Sequence, residues 1–214
     1  MEKPLKKKEN VYLVVVFFGA LWGISEAALG YVLHLIPVPI SGFFMYPIAF
    51  FFMYGAFKRT QDVTSIMGVG IVAALIKLVN LALPLLPAYH TLVPAATILL
   101  EASMLFIAYR VSEKMKIRPT LSGIVFASVS WRVLFLALQY VLYGASSYFF
   151  KSGTWVIVNF LLVEGLVNAG FLMIATRFNS INKKPSDRKH SIRPAFSYSI
   201  LAVSIITTIA FSLL

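Results

Sequence analysis

The chain has 214 residues, of which 59% are hydrophobic, with a mean hydropathy of +0.84 and a formal net charge of +11. This composition excludes an ordinary water-soluble domain, and the lack of cysteine excludes disulfides and thiol chemistry. The basic residues flank apolar stretches, so the positive charge favours anionic lipids as partners and argues against nucleic acid.

Seven apolar stretches follow one another along the chain, and an α-helix is the only form in which they can cross a bilayer. Their approximate limits are 11–35, 40–57, 63–85, 90–109, 119–143, 154–176 and 195–214. We predict an all-α polytopic membrane protein. Its predicted parts are a basic lead over 1–10, a six-helix bundle over 11–177, a basic linker over 178–194, and an additional C-terminal transmembrane helix over 195–214.

Lysine and arginine are concentrated in alternate connections between these stretches. They are Lys3, Lys6, Lys7 and Lys8 before the first stretch, Lys58 and Arg59 after the second, Arg110, Lys114, Lys116 and Arg118 after the fourth, and Arg177, Lys183, Lys184, Arg188, Lys189 and Arg193 after the sixth. The opposite connections contain only Lys151. Because short cytoplasmic loops carry the excess of Lys and Arg, we predict a multi-pass protein of the cell membrane with a cytoplasmic N-terminus and linker and an external C-terminus.

Five ionisable side chains lie inside the apolar stretches, where charge is costly and marks functional sites. They are Glu26, Lys77, Glu101, Arg132 and Glu164, each on a different predicted helix. At about 1.5 Å per residue, all five fall near the middle of the bilayer or in its outer half. The sequence therefore predicts one charged layer within the bundle.

Polar and aromatic neighbours extend the charged layer. They are Trp22, Asn80, Gln139 and Asn168, each at helical spacing from one of the five charges. A few converging polar groups in apolar surroundings predict a pocket for a small-molecule substrate. The alternative is that the charges only pair with one another between helices. Three acids against two bases leave one acid unmatched, which favours a cationic or zwitterionic ligand.

The chain lacks the signatures of several chemistries. There is no G-x-x-x-x-G-K-[ST] loop for ATP, no H-E-x-x-H and no G-x-S-x-G, so we predict no enzymatic activity and no cofactor. His34 and His90 lie at outer helix ends, but they lack the tight spacing of metal ligands, so we predict no metal site.

Small residues recur every four positions on the first helix, at Gly19, Gly23 and Ala27. Such a face lets another helix approach closely. The other helix belongs either to the same bundle or to a partner membrane protein, and both interpretations remain open here.

The order of these features resembles the substrate-binding S-components of energy-coupling factor (ECF) transporters over roughly residues 11–177. The features are Gly19-Ala20-Leu21-Trp22-Gly23 in helix one, Ile36-Pro37-Val38-Pro39 in the first outer loop, Pro47 in helix two, Gly68-Val69-Gly70 through Ala74-Leu75-Ile76-Lys77 in helix three, and Glu164 with Asn168 in helix six. Gly19-x-x-x-Gly23-x-x-x-Ala27 stands where the family usually has an Ala-x-x-x-Ala docking motif, and the seventh helix is a departure from the family.

The resemblance implies a six-helix subunit that captures a vitamin-like molecule from outside the cell. A separate transmembrane coupling subunit and an ATPase pair would drive release into the cytoplasm. The alternative is a proton- or ion-coupled carrier or an intramembrane enzyme, with Glu26, Glu101 and Glu164 as a proton relay. A capture subunit binds its ligand tightly in isolation and depends on ATPase partners, whereas a carrier or enzyme is active alone.

Overall fold

A computed structural model describes residues 10–34, 41–83, 87–115, 121–181 and 192–213. Residues 1–9 of the predicted basic lead, residues 35–40 and 84–86 at the first two outer loops, and most of the basic linker lie outside the described residues. Within them, the chain is helical apart from short connections, and no strand occurs.

The helices of the described ranges follow the predicted stretches closely. They are α1 (Val11–His34), α2 (Ser41–Thr60), α3 (Thr64–Leu78), α4 (Tyr89–Lys114), α5 (Leu121–Tyr143), α6 (Tyr148–Lys151), α7 (Thr154–Val158), α8 (Glu164–Ile181) and α9 (Pro194–Ser212). A 3₁₀ turn, Val79–Ala82, extends α3, and a second, Gly144–Ser146, follows α5. A π-helical turn, Asn159–Val163, joins α7 to α8, so these three pieces form one continuous helical segment.

Within the described residues, six helical segments are long and apolar enough to cross a membrane, which confirms the predicted all-α class and fits a multi-pass membrane protein. They are Val11–Gly30, Thr64–Ala82, Tyr89–Lys114, Ser122–Ser146, Thr154–Arg177 and Pro194–Ser212. The predicted stretch 40–57, which forms α2, is not among these six. It contains Tyr46, Pro47 and Tyr54, and α2 ends on the basic pair Lys58 and Arg59.

The direction of α3 nevertheless requires α2 to cross the same layer. The side chain of Val15 packs on Gly68, and farther along both helices Ile76 packs on Gly23, so α1 and α3 run parallel. The chain must therefore return between them. The 20 residues of α2 span about 30 Å, the thickness of the hydrocarbon core.

Six helices form a closed ring in the order α1, α3, α4, α5, α8 and α2, with α2 also leaning against α3 and α4. Helix α9 lies outside this ring and packs along α1. The Ser197 hydroxyl donates to the Leu13 carbonyl, and Ser204 faces Gly23, so α9 runs parallel to α1. Only 17% of the apolar span of α9 is buried, against 50% for α1.

Candidate functional site

The small-residue face of α1 is covered by other helices of the same chain. A Cβ atom added at Gly19 would lie 2.6 Å from Cβ of Val72 on α3, and one added at Gly23 would lie 2.6 Å from Ser204 Oγ on α9. Ala27 is also buried. The small-residue face of α1 therefore packs against helices of the same chain. The alternative, in which a partner protein docks on Gly19, Gly23 and Ala27, does not fit this arrangement because α3 and α9 occupy the surface.

The five intramembrane charges face one another across the ring. Glu26 interacts electrostatically with Lys77 on α3 and with Glu101 on α4. Arg132 on α5 interacts with Glu101 and with Glu164 at the start of α8. All five are described residues, and no two of them form an ion pair within 4 Å. The structure thus brings the predicted layer together without direct salt bridges.

Arg132 is the centre of this layer and is completely buried, with 0% of its surface exposed. Its Nη1 donates to the backbone carbonyl of Ser128 at 2.6 Å. In the amide orientation that suits both neighbours, Asn168 Oδ1 accepts from Arg132 Nη2 at 2.7 Å, and Asn168 Nδ2 donates to the carbonyl of Phe43 at 3.0 Å. The Ser128 hydroxyl donates to the carbonyl of Gly165 at 2.8 Å. These bonds tie α2, α5 and α8 together around the guanidinium.

Three aromatic rings surround the guanidinium carbon of Arg132. Their centroids lie 4.5 Å away for Trp131, 5.5 Å for Phe160 and 5.6 Å for Tyr46. An aromatic face attracts a cation at these distances, most strongly where water is excluded. Tyr46 and Trp131 were not among the predicted site residues. The signal for Trp131 was its position beside a charged residue within an apolar helix.

The π-helical turn Asn159–Val163 explains how α8 meets this cluster. It ends directly before Glu164, and its Phe160 packs against Trp131 with the ring centroids 5.9 Å apart. A π turn holds more residues than an α turn and shifts the face that the following residues present, and such turns are frequent at functional sites. No pattern in the sequence predicted this turn.

Several buried polar atoms of the cluster have no hydrogen-bond partner within the part of the chain that the structure describes. They are Tyr46 OH, Trp131 Nε1, Arg132 Nε and Glu164 Oε2, together with Trp22 Nε1 and Asn80 Oδ1. Buried polar groups in folded proteins are nearly always paired. The first four combine N–H and O–H donors with one carboxylate oxygen, which suits a ligand bearing both an acceptor and a positively charged donor.

The other predicted site residues lie at different distances from Arg132. Trp22 is buried beside Gly70 of α3, one turn from Glu26, and Asn80 is buried in the 3₁₀ turn after α3. Gln139 lies about 10 Å beyond Arg132 along α5, and it accepts a hydrogen bond from Ser147 at 3.3 Å. The structure therefore does not bring Gln139 into the charged layer.

The two histidines considered as metal ligands give no metal site in the described residues. The His34 side chain lies outside them. The ring of His90 lies beside that of Tyr89, with the centroids 4.1 Å apart. Among the described residues, no three or more His, Cys, Asp or Glu side chains group so that they could hold a metal ion.

Fold and site together define a helical multi-pass membrane protein with a charged layer in which Glu101, Arg132 and Glu164 are buried without direct ion pairs. Comparison with known proteins adds no relative, because no protein-family model, curated protein or solved structure matches this chain. The likeness to ECF S-components rests on the sequence features given above.

Proposed function

We propose that this protein is the substrate-capture subunit of an ATP-driven uptake transporter for a small vitamin-like molecule. The proposed architecture is a six-helix bundle like that of ECF S-components, with α9 as an additional helix. The ligand is cationic or zwitterionic and binds near the outer half of the bilayer. Because the sequence has no ATP-binding loop, a transmembrane coupling subunit and an ATPase pair supply the energy.

One observation carries this proposal: Glu101, Arg132 and Glu164 are buried in the charged layer, yet they do not neutralise one another in direct ion pairs. Glu101 is 4% exposed and Glu164 is 8% exposed, and both face the guanidinium of Arg132 from beyond ion-pair distance. Buried charges without direct partners are strongly destabilising. A ligand amine between the two carboxylates would supply the missing partner, with Trp22 as an aromatic face for it.

The cluster around Arg132 also offers hydrogen-bond donors for an acidic group on the same ligand. Arg132 Nε, Trp131 Nε1 and Tyr46 OH are buried donors that lie close together on α2 and α5. Lys77 lies on the opposite side of the layer, where it interacts with Glu26. A zwitterionic ligand would therefore place its carboxylate toward α2 and α5 and its amine toward α4 and α8.

One observation favours the alternative function, a proton relay, and one argues against it. Glu26, Glu101, Arg132 and Glu164 are electrostatic neighbours in that order, as a proton path would require. However, an arginine stays protonated in proteins and cannot accept and pass on a proton. The path is interrupted at Arg132, so capture without proton transfer is the better supported function.

We place the protein in the cell membrane with its N-terminus in the cytoplasm and its C-terminus outside. The support is the asymmetry of Lys and Arg between alternate connections, together with the parallel course of α1 and α9. Single cysteines at Ser146 and Ser180, probed with an impermeant thiol reagent on intact cells, test this orientation. Labelling of Ser146→Cys alone supports it, and labelling of Ser180→Cys alone contradicts it.

Mass spectrometry of small molecules that co-purify with the protein identifies the ligand, and calorimetry then measures its affinity. Glu164→Gln keeps the shape of the side chain and removes its charge. We expect affinity to fall about 10- to 100-fold, because a hydrogen bond to a charged group contributes about 1.5–3 kcal/mol.

Glu113→Gln is the matched control, because it removes the same charge from an exposed pair with Arg110. We expect it to leave affinity unchanged. Unchanged affinity in Glu164→Gln, with a lowered melting temperature, would show that the layer only holds the helices together. Transport by the purified protein without an ATPase would instead support the relay.

A further inference from the structure

A second site lies on the outer surface of the ring, where α2 and α8 meet. A groove of about 400 Å³ runs between the two helices. It is lined by Phe44, Pro47, Phe51 and Tyr54 of α2 and by Phe171 and Ala175 of α8, among others. Phe44, Phe51 and Phe171 are about half exposed, so the groove opens away from the ring interior. Apart from the Tyr54 hydroxyl, the lining side chains carry no polar atom.

A positively charged residue, Lys58, lies one turn beyond the groove along α2. Pro47, Phe51, Tyr54 and Lys58 follow one another at spacings of four, three and four residues, which places them on one face of α2. The Lys58 ammonium lies 5.4 Å from the centroid of the Tyr54 ring. Lys58 also belongs to a connection that the Lys/Arg asymmetry assigns to the cytoplasmic side. Lys58 therefore lies one turn beyond the apolar groove, at the level of the lipid headgroups.

We propose that this groove binds one acyl chain of an anionic phospholipid whose phosphate contacts Lys58. The volume lies within the range of small-molecule sites, and the apolar lining suits a hydrocarbon chain rather than a polar solute. Basic residues beside a membrane helix attract anionic headgroups, and Lys58 fixes that attraction at the end of the groove. The groove shares Phe43 with the network around Arg132, but none of the five intramembrane charges lines it, and the proposal does not depend on the proposed transport function.

Native mass spectrometry of the full chain in detergent tests the headgroup contact. The probes are phosphatidylglycerol and phosphatidylcholine with identical acyl chains. We expect phosphatidylglycerol to be retained preferentially, and Lys58→Gln to reduce this preference about fivefold, as expected for one basic residue near the membrane surface.

Arg59→Gln is the matched control for charge. Arg59 is the next residue, but its guanidinium lies over the Phe18 ring on α1, 5.9 Å from the centroid. We expect it to retain the preference of the unmodified protein. An equal loss in both variants would mean that the basic end of α2 attracts anionic lipid without a defined site, and it would overturn the proposal.

Ala175→Phe tests the acyl-chain contact by filling the groove. We expect retention of both lipids to fall, while Ala137→Phe, an equal substitution at an exposed position of α5, leaves retention unchanged. Equal retention in both variants would overturn the proposal. A dimer mass in the unmodified protein that disappears with Ala175→Phe would overturn it too, because the groove would then bind a second copy of the chain.

Discussion

The two sides of the helical ring are held together by different kinds of contact. Where α1 meets α3 and α3 meets α4, Gly19, Gly23 and Gly70 let neighbouring helices approach so closely that no added Cβ atom fits without displacement. Where α2, α5 and α8 meet, aromatic rings and hydrogen bonds surround Arg132, and several polar atoms have unused hydrogen-bonding capacity. The glycine contacts of the first side leave no space between the helices at those positions, whereas the second side has groups that a ligand could satisfy.

This difference assigns stability and function to separate parts of the ring. Close packing through glycine tolerates almost no change in side-chain volume. A network of buried polar atoms tolerates the loss of an unused group but not the loss of a bonded one. The two sides should therefore respond differently to substitutions of similar size.

The largest effect is expected at Arg132. Arg132→Met removes the donor to Ser128 and Asn168 and leaves Glu101 and Glu164 without the cation they face. We expect the free energy of unfolding to fall by about 3–5 kcal/mol, as for the loss of one partner of a buried charge network. Thermal unfolding in detergent measures the change.

Arg110→Met is the control, because Arg110 forms an exposed pair with Glu113. Its expected effect is below about 1 kcal/mol. Similar losses in the two variants would mean that the network around Arg132 contributes little to stability.

The next largest effect is expected on the glycine side. A Cβ atom at Gly70 would collide with the Ala102 side chain of α4, whereas one at Gly170 meets nothing within 4 Å. We expect Gly70→Ala to destabilise the protein by about 1–3 kcal/mol. Gly170→Ala should instead stabilise it by about 0.5–1 kcal/mol, because alanine is favoured over glycine inside a helix such as α8. Equal melting temperatures would show that α3 and α4 can separate at no cost.

A smaller effect separates binding from stability on the aromatic side. Tyr46→Phe removes a buried hydroxyl that has no partner among the described residues, so we expect no loss of stability. If that hydroxyl contacts the ligand, affinity falls about fivefold. Calorimetry with the co-purified ligand measures it, with Tyr54→Phe in the outer groove as the control. A loss of stability without a loss of affinity would assign the Tyr46 hydroxyl a structural role.

Much of this organisation could be predicted from the sequence, because apolar runs and the charges that interrupt them are local signals. The helices and the convergence of Glu26, Lys77, Glu101, Arg132 and Glu164 followed from those signals. The neighbours of each helix did not, since a small-residue face shows that a helix approaches but not which one. The sequence therefore left open whether α9 or a partner protein covers Gly23.

Details of the candidate site depend on contacts between distant parts of the chain. The bond from Asn168 to the carbonyl of Phe43 involves a backbone group, which leaves no trace in the identity of residue 43. The π turn before Glu164 contains Phe160, which packs against Trp131 on a different helix. Gln139 shares a helix face with Arg132, but its depth places it beside Ser147 instead.

The smallest effect concerns two serines on one face of α9, of which only one forms a hydrogen bond within the described part of the chain. Ser197 and Ser204 are both fully buried against α1, seven residues apart. The Ser197 hydroxyl donates to the Leu13 carbonyl at 3.2 Å, whereas Ser204 Oγ has no partner in the described part of the chain. We expect Ser197→Ala to destabilise the protein by about 0.5–1.5 kcal/mol and Ser204→Ala to be neutral or stabilising. Thermal unfolding of the two variants side by side gives the difference in their melting temperatures.

If neither variant shifts the melting temperature, the bond from α9 to α1 contributes nothing to stability, and α9 is held by apolar contacts alone. If Ser204→Ala is the more damaging change, the Ser204 hydroxyl has a partner that its neighbours Gly23 and Ile76 do not provide. Polar groups would then contribute to stability on the glycine side of the ring as well as on the aromatic side.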